Sequence, residues 1–452
     1  MSDYIKKKDK LIFLSLVIYF FIIVYGNVFK FSQQEASIGF STVLILIIII
    51  PKILTVRQVV FKQPLFFLIS VLLLWCSMSA LFTQGEIVSA YIRLAMMIGY
   101  LFAAASVYQM QLTNERVKLL IYTLSISILV ASLLTIIDFL KIYNIPYVNE
   151  TSLATKIAGA EVEQAGGFFP RRSAMAAYYS IIIPTLIYYA MKIENIREKT
   201  FMFLSSGVSI LALFLTHNRS GILSILLAVS IFLFFDKTIK ASKKMGIVLY
   251  MPIVLGGLLY VAFVLFPEHL DVYILKLNRY LPGGIVESAG QVNNEFARSD
   301  ESRIYFFISV MESLLTNPIG NGFSLVYTER YGFNSPHNII TYIIWSAGLM
   351  AFVWLPLFAR QVYRCFSLKE LQKKLDEKQD LIVFSVAFQV GLLSWFLNNM
   401  THNSLNTGLA WLYLGVVLNV INTLKNASNN KPKSDEIIEI ESPTLKTYVG
   451  LK

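Results

Sequence analysis

The sequence predicts an all-α polytopic membrane protein with about twelve transmembrane helices. Hydrophobic residues make up 56% of its 452 residues and charged residues only 15%, whereas soluble domains typically carry about 25% charged residues. Apolar runs of roughly 18 to 23 residues recur along the chain, and each is long enough to cross about 30 Å of hydrocarbon. A net charge of +11 therefore does not indicate a nucleic-acid partner.

The apolar runs give the predicted spans in chain order. Because no small-residue cleavage site follows the basic start and the first run, that run is predicted to be an uncleaved span. Three runs are short for a bilayer and need flanking residues to cross it. The predicted spans are 11–29, 38–54, 65–83, 87–107, 119–140, 173–191, 200–216, 221–235, 245–267, 338–359, 381–400 and 408–423.

The basic residues predict the orientation of these spans. Of the 39 Lys and Arg residues, 27 fall on one set of alternate loops and 11 on the other, with Arg93 inside the fourth span. Because cytoplasmic loops carry the excess of Lys and Arg, both termini are predicted to be cytoplasmic. This gives one transmembrane domain over residues 1–423 and a polar, disordered cytoplasmic tail over 424–452.

The longest predicted outer loop covers residues 268–336, between the ninth and tenth spans. Long loops in compact domains are usually functional. Residues 303–315 of this loop have apolar residues at helical spacing, which predicts an amphipathic helix that lies on the membrane surface or caps a cavity. The residues on its apolar face are Ile304, Phe307, Ile308, Met311 and Leu315.

Residues 334–338, directly before the tenth span, contain the strongest single candidate for chemistry, His337 and its neighbour Asn338. Histidine is the side chain best suited to proton transfer near neutral pH. One interpretation makes His337 a general base, or a hydrogen-bond partner to a phosphate or a sugar hydroxyl. The other makes it an interfacial residue that caps a helix.

Residues 216–221 form a short hairpin between the seventh and eighth spans, and they include His217 and Arg219. An arginine here lies at the outer interface, against the general bias of positive charge. Its planar guanidinium suits bidentate contact with phosphate. The alternative is an anchor at the membrane interface.

Arg171 and Arg172 enter the sixth span after a Gly-Gly-Phe-Phe-Pro segment. Paired outer arginines at a helix start are explained either by an anionic ligand at that N-terminus or by ion pairs with Glu161 or Glu163.

Three more charged residues stand out. Arg303 begins the predicted loop helix, where it is either a functional group or simply solvated. Arg93 and Asp138 lie inside spans, where ionisable groups are costly, and they either pair with each other or serve an outer cavity.

The sequence has no P-loop and no zinc-ligand pattern, so neither a metal nor a cofactor is predicted.

Taken in order, these motifs resemble the O-antigen ligase and O-antigen polymerase superfamily of bacterial membrane glycosyltransferases. The resemblance covers most of the chain and is densest from about residue 166 to residue 349. After Phe168 the chain departs from the family pattern, since Arg171-Arg172-Ser173 stand where the family often has Asn. The motifs are Gly166-Gly167-Phe168, His217-Asn218-Arg219-Ser220-Gly221, the helix from Arg303, Pro318-Ile319-Gly320-Asn321-Gly322, His337-Asn338 and Gly348.

The resemblance implies a GT-C-like fold and an inverting, metal-independent transfer of a glycan from undecaprenyl diphosphate, outside the cytoplasmic membrane. It makes Arg219 and Arg303 diphosphate contacts and His337 the base that activates the acceptor hydroxyl. Arg171 and Arg172 would add a phosphate clamp. The partners are then the lipid-linked glycan, a saccharide or lipid-linked acceptor, the bilayer and other polysaccharide-assembly proteins.

Three functions remain open from the sequence. The first is a polymerase that joins lipid-linked repeat units in cell-envelope polysaccharide biosynthesis. The second is a ligase that transfers the finished glycan to the lipid A-core of lipopolysaccharide or to another acceptor, including a protein. The third is a transporter or flippase without chemistry, which the long, asymmetric outer loop disfavours because many carriers consist of two similar halves.

Overall fold

The computed structural model describes most of the predicted helical regions. The described residues are 2–25, 40–83, 86–146, 148, 155–157, 160–162, 165, 167–169, 172–216, 218–235, 257, 304–328, 332–334, 338–366, 379–401, 405 and 407–429. The predicted ninth span therefore lies outside them except for Gly257, as do residues 268–303 of the long outer loop, His269 among them, and residues 430–452.

This part of the chain is predominantly α-helical. The helices are α1 Ser2–Ile22, α2 Phe40–Ile49, α3 Ile53–Lys62, α4 Pro64–Ser79, α5 Ile87–Tyr108, α6 Asn114–Phe139, α7 Arg172–Lys192, α8 Ile196–Leu215, α9 Arg219–Phe235, α10 Ile304–Thr316, α11 Ile339–Ala347, α12 Met350–Phe366, α13 Gln379–Asn399 and α14 Gly408–Asn429. Two antiparallel strand pairs, β1 Thr155–Ile157 with β2 Ala160–Val162 and β3 Val326–Thr328 with β4 Gly332–Asn334, lie between helices.

Eight helical segments among the described residues are long and apolar enough to cross a membrane. They confirm a helical, membrane-embedded protein, whereas twelve spans are not found in this part of the chain. The eight segments are Ser41–Lys62, Pro64–Phe82, Ile87–Tyr108, Asn114–Phe139, Ser173–Lys192, Ile196–Leu215, Asp380–Asn399 and Gly408–Asn426.

The second predicted span is longer than expected. Helix α2 continues through a 3₁₀ turn, Ile50–Lys52, into α3 and ends at Lys62. Most of residues 55–64, which the predicted spans 38–54 and 65–83 leave as a loop, is therefore helical. Pro51 is tolerated because a proline in the first turn of a helical segment lacks only an N–H that would have no intrahelical partner. Beyond it, α3 buries Val56 and Val60.

The predicted tenth span, 338–359, is not one continuous helix. It is interrupted at Gly348, which has φ +59° and ψ −138°, and it continues as α12 as far as Phe366. At the break, the Leu349 N–H donates to the Pro318 carbonyl at 2.9 Å instead of to a carbonyl of its own helix. A neighbouring segment of the long loop thus divides an apolar run that the sequence pattern treats as uniform.

Helix α10 confirms that the segment predicted to be helical over 303–315 forms a helix, but it packs mainly through a different face. Its buried residues are Phe306, Val310 and Ser313. Of the predicted apolar face, only Met311 packs partly against the core. The other four residues of that face are exposed, Leu315 by 87%. An exposed apolar face is compatible with lipid contact, so the membrane-surface position of this helix stays a prediction.

Helix α7 lies at the centre of the bundle, where it packs on α8, α9 and α13, while α14 packs on α5. Glycines allow the closest of these approaches. A Cβ at Gly415 of α14 would lie 2.5 Å from the Ala104 carbonyl oxygen of α5, and a Cβ at Gly391 of α13 would overlap Thr185 of α7. Small residues at such contacts let helices in a membrane approach closely and gain van der Waals packing.

One end of the bundle gathers segments that were predicted to be cytoplasmic. Lys52 pairs with Asp9 at 2.8 Å, and the second carboxylate oxygen of Asp9 accepts from the Gln111 N–H at 3.2 Å. Lys118 pairs with Glu198 at 2.9 Å. The alternation of loops is therefore consistent with the predicted topology, while the side of the membrane that this end faces stays a prediction.

The first residues of the predicted tail are helical. Helix α14 continues to Asn429, so residues 424–429 are helical and not disordered, because Leu424 is still fully buried against the bundle. The rest of the predicted tail lies outside the described residues.

Candidate functional site

The segment before α7 is held firmly against the bundle. The Ala165 N–H donates to the Leu215 carbonyl at 2.9 Å. The Phe168 ring meets the Tyr25 ring edge-on with centroids 5.2 Å apart, and the Phe169 ring stacks on Tyr178 at 5.0 Å. These contacts fix the entry into α7 at the end of the bundle where α8 finishes.

Helix α7 begins at Arg172, whose backbone is described and whose side chain is not, and Arg171 lies outside the described residues. Gly167, just before them, has φ +60°, and a Cβ there would lie 2.8 Å from Met175 Sδ. Only glycine suits this turn. The predicted ion pairs with Glu161 or Glu163 concern side chains that are not described.

The start of α9 is organised by Asn218, which is almost fully buried. Its Oδ1 accepts from the Gly221 N–H at 3.0 Å and lies 2.8 Å from Ser220 Oγ. An Asn in this position is a favoured helix N-cap. Arg219 is the first residue of the helix and is partly buried, whereas His217 lies outside the described residues.

The starts of α7 and α9 lie side by side. A Cβ at Gly221 of α9 would be 3.2 Å from the Ala176 Cβ of α7. Each contact residue lies within the first turns of its own helix, close after Arg219 and Arg172. The structure thus brings together the backbones of two arginine-bearing segments that are 47 positions apart in the sequence.

Asn398, near the end of α13, completes this group and was missed by the sequence analysis. It is fully buried, and its Oδ1 lies 3.0 Å from Ser220 Oγ. Its Nδ2 has no hydrogen-bond acceptor among the atoms that the structure describes. Buried donors without a partner are uncommon and cost about 1–3 kcal/mol. The signal available in the sequence was the adjacent pair Asn398-Asn399 at the end of an apolar run.

A second group of residues lies around the start of α11. Asn338 Oδ1 accepts from the Ile340 N–H at 2.7 Å and the Thr341 N–H at 3.4 Å. Asn338 is therefore the N-cap of this helix. His337 lies outside the described residues, and so does Arg303, which directly precedes α10.

Arg93 reaches this second group from α5. Its Nη1 donates to Tyr342 Oη at 2.9 Å, and the Tyr342 hydroxyl donates to the Phe323 carbonyl at 2.7 Å. Asp138 instead accepts from the Ile145 N–H at 2.7 Å. The alternative in which Arg93 pairs with Asp138 is therefore wrong, because each group has a different partner. Arg93 holds α11 one turn from Asn338.

The glycine-containing segment 318–322 packs against the C-terminal end of α11. The Asn317 amide donates to the carbonyls of Phe82 and Gly320 at 2.9 Å each. A Cβ at Gly320, where φ is +98°, would lie 2.5 Å from the Gly348 amide nitrogen. Two motifs that the sequence analysis linked only by their order are thus in direct contact.

Helix direction places both groups at one end of the bundle. The Asp9–Lys52 and Lys118–Glu198 pairs mark the opposite end, where α5 finishes and where α6 and α8 begin. The starts of α5, α7 and α9 must then lie at the other end. This end is the predicted outer face.

No protein-family model matches the chain, and no curated protein matches it. The resemblance to the O-antigen ligase and polymerase superfamily therefore stays a prediction.

The geometry of the first group suits an anion. Helix N-termini present free N–H groups and a partial positive charge of roughly half a unit each. Arg219 adds a fixed positive charge, and Asn398, in contact with the next residue Ser220, adds a buried Nδ2 donor that has no acceptor among the described atoms. Within the described ranges, no three His, Cys, Asp or Glu side chains are placed to hold a metal ion.

Proposed function

We propose that this protein is an integral membrane glycosyltransferase that moves a glycan from undecaprenyl diphosphate to a saccharide acceptor on the outer face of the bacterial cytoplasmic membrane. Within this class we propose a polysaccharide polymerase of the O-antigen type. The observation that supports it is the convergence of the α7 and α9 starts beside Asn398, whose Nδ2 has no acceptor among the described atoms.

A diphosphate leaving group gains negative charge as its bond to the sugar breaks. Arg219 can hold that charge through a planar fork that does not titrate near neutral pH. The N-termini of α7 and α9 add backbone dipoles that are already oriented and need no rearrangement during the reaction. The Asn398 amide supplies a further N–H for a phosphate oxygen, and Arg171, Arg172 and Arg303 are the remaining candidates for this contact.

The second group is proposed to hold the base. In the transfer, the acceptor hydroxyl oxygen bonds to the anomeric carbon from the face opposite the diphosphate, and the bond from that carbon to the diphosphate oxygen breaks. His337 takes the hydroxyl proton, and undecaprenyl diphosphate leaves with the bond's electron pair. A positioned base contributes about 10²–10⁴-fold to such a step. Asn338, Tyr342 and Arg93 fix the helix that follows His337.

Complementation of a polymerase-deficient strain tests this proposal. We expect the wild-type gene to restore long polysaccharide chains and His337→Ala to leave single repeat units, because the acceptor hydroxyl then lacks its base. The length distribution of the glycan on gels is the readout, at membrane protein levels matched by immunoblot.

The matched control is His269→Ala, which removes the histidine at the start of the predicted outer loop 268–336, whereas His337 directly follows its end. No role is assigned to His269. The control variant should restore long chains like the wild type. Long chains from His337→Ala at equal protein level would contradict the assigned base. If the wild-type gene restored a ligase-deficient strain and not a polymerase-deficient one, the acceptor would be lipid A-core or another ligase acceptor and not a second repeat unit.

A further inference from the structure

A cavity of about 580 Å³ opens at the end of the bundle opposite the proposed active site. It lies among α3, α4, α12 and α14, next to the end of α5. The segments around it are those predicted to be cytoplasmic. The glycosyl-transfer proposal assigns no role to this cavity.

Three cationic side chains line the cavity, and each comes from a different helix. They are Lys62 of α3, Arg364 of α12 and Lys425 of α14. None of its described lining residues is acidic, and the Lys52–Asp9 and Lys118–Glu198 ion pairs of this end involve other residues. The cavity is therefore a concentration of positive charge without a counter-charge in its described lining.

The rest of the lining combines apolar and polar side chains, as is typical at the boundary between water and hydrocarbon. Leu418 and Ile421 give the cavity a buried apolar wall. Gln63 is fixed as the cap of α4, with its Oε1 accepting from the Leu65 N–H at 2.6 Å. Gln361 is held by Cys365, with 3.4 Å between Nε2 and Sγ. The polar rim is thus partly preorganised, and the three cationic side chains are exposed.

A ligand that suits these features carries a phosphate next to an apolar body. Basic pockets between transmembrane helices on the cytoplasmic side bind anionic lipid headgroups. Arg364 can contact two phosphate oxygens at once, whereas Lys62 and Lys425 act as point charges. Solvated surface cations would show no such convergence on one concave site.

We propose that this cavity binds the phosphate headgroup of an anionic phospholipid from the cytoplasmic leaflet. The phosphate lies among Lys62, Arg364 and Lys425, and the glycerol and upper acyl chain lie against Leu418 and Ile421. This inference rests on membrane embedding and on the predicted orientation. It does not depend on glycosyl transfer at the opposite end.

Native mass spectrometry of the purified protein tests the inference, with phosphatidylglycerol or phosphatidylcholine added to the detergent. The variant Lys62→Gln/Arg364→Gln/Lys425→Gln removes the cavity cations. The matched control Lys10→Gln/Arg57→Gln/Arg360→Gln removes as many exposed cations from the same end but outside the cavity. Unchanged gel-filtration profiles and melting temperatures verify that both variants fold.

We expect the wild type and the control variant to retain phosphatidylglycerol in preference to phosphatidylcholine. The cavity variant should bind phosphatidylglycerol roughly tenfold or more weakly, because three charge contacts are lost. Inorganic phosphate at millimolar concentration should not displace the lipid. Equal loss in both variants, no lipid preference in the wild type, or full displacement by inorganic phosphate would each overturn the inference.

Discussion

The Gly348→Ala variant is expected to lose about 3–5 kcal/mol of stability, which is a large effect for one added methyl group. A Cβ at this position would overlap the Pro318 carbonyl oxygen and would lie 2.6 Å from the Gly320 amide nitrogen. The backbone at Gly348, with φ +59° and ψ −138°, is also one that L-residues avoid. Thermal unfolding of the purified protein in detergent measures the loss as a lower melting temperature.

Gly99→Ala is the matched control, because a Cβ at Gly99 meets nothing within 4 Å. This glycine lies inside α5, where alanine is favoured over glycine by about 0.5–1 kcal/mol. We therefore expect an unchanged or slightly raised melting temperature. If Gly348→Ala and Gly99→Ala had the same melting temperature, the close contact between the α11–α12 break and segment 318–322 would be contradicted.

The Arg219→Lys variant is expected to lower the rate of glycan transfer about 10²-fold, in the range found when one preorganised donor to a developing negative charge is removed. Lysine keeps the positive charge but cannot contact two phosphate oxygens in one plane. Because the lost interaction strengthens as the leaving group departs, kcat should fall by more than KM rises. Initial rates with a lipid-linked repeat unit measure both constants.

Arg57→Lys makes the same chemical change at an exposed residue of α3, at the opposite end of the bundle. It should keep the wild-type rate. A wild-type rate for Arg219→Lys, at an unchanged melting temperature, would remove Arg219 from the diphosphate site and leave the α9 start with a structural role only.

Much of the helical architecture could be predicted from the sequence, because long apolar runs in a membrane protein must form helices to satisfy their backbone hydrogen bonds. The break at Gly348 could not. The run on either side is apolar, and the cause of the break is a hydrogen bond to Pro318, a residue 30 positions earlier that the folded chain brings alongside.

The sequence pattern also failed to predict which face of helix α10 packs against the protein. Its periodicity predicted the helix correctly, but the buried face contains Ser313 and leads into the Asn317 network. Because lipid is as apolar as a protein core, apolar periodicity alone does not decide which face of a membrane helix packs. The packed face of α10 combines Phe306 and Val310 with Ser313, whose Oγ accepts from Asn321 Nδ2 at 2.8 Å.

The candidate site was predictable in part. The motifs around Arg172 and Arg219 were recognised as separate arginine-bearing helix starts, and their adjacency follows from how α7 and α9 pack, which no local pattern encodes. Asn398 was missed because a single buried amide looks like an ordinary polar residue until its neighbours are known. Its importance depends on Ser220, which is 178 positions away.

The central claim is tested most directly by the purified protein in bilayer nanodiscs, supplied with a synthetic undecaprenyl-diphosphate-linked repeat unit and with EDTA present. The account predicts products of two and more repeat units, with one undecaprenyl diphosphate released for each bond formed. The His337→Ala variant should form none of them. Unchanged substrate with the wild-type protein, or release of free glycan without chain growth, would contradict the proposed polymerase.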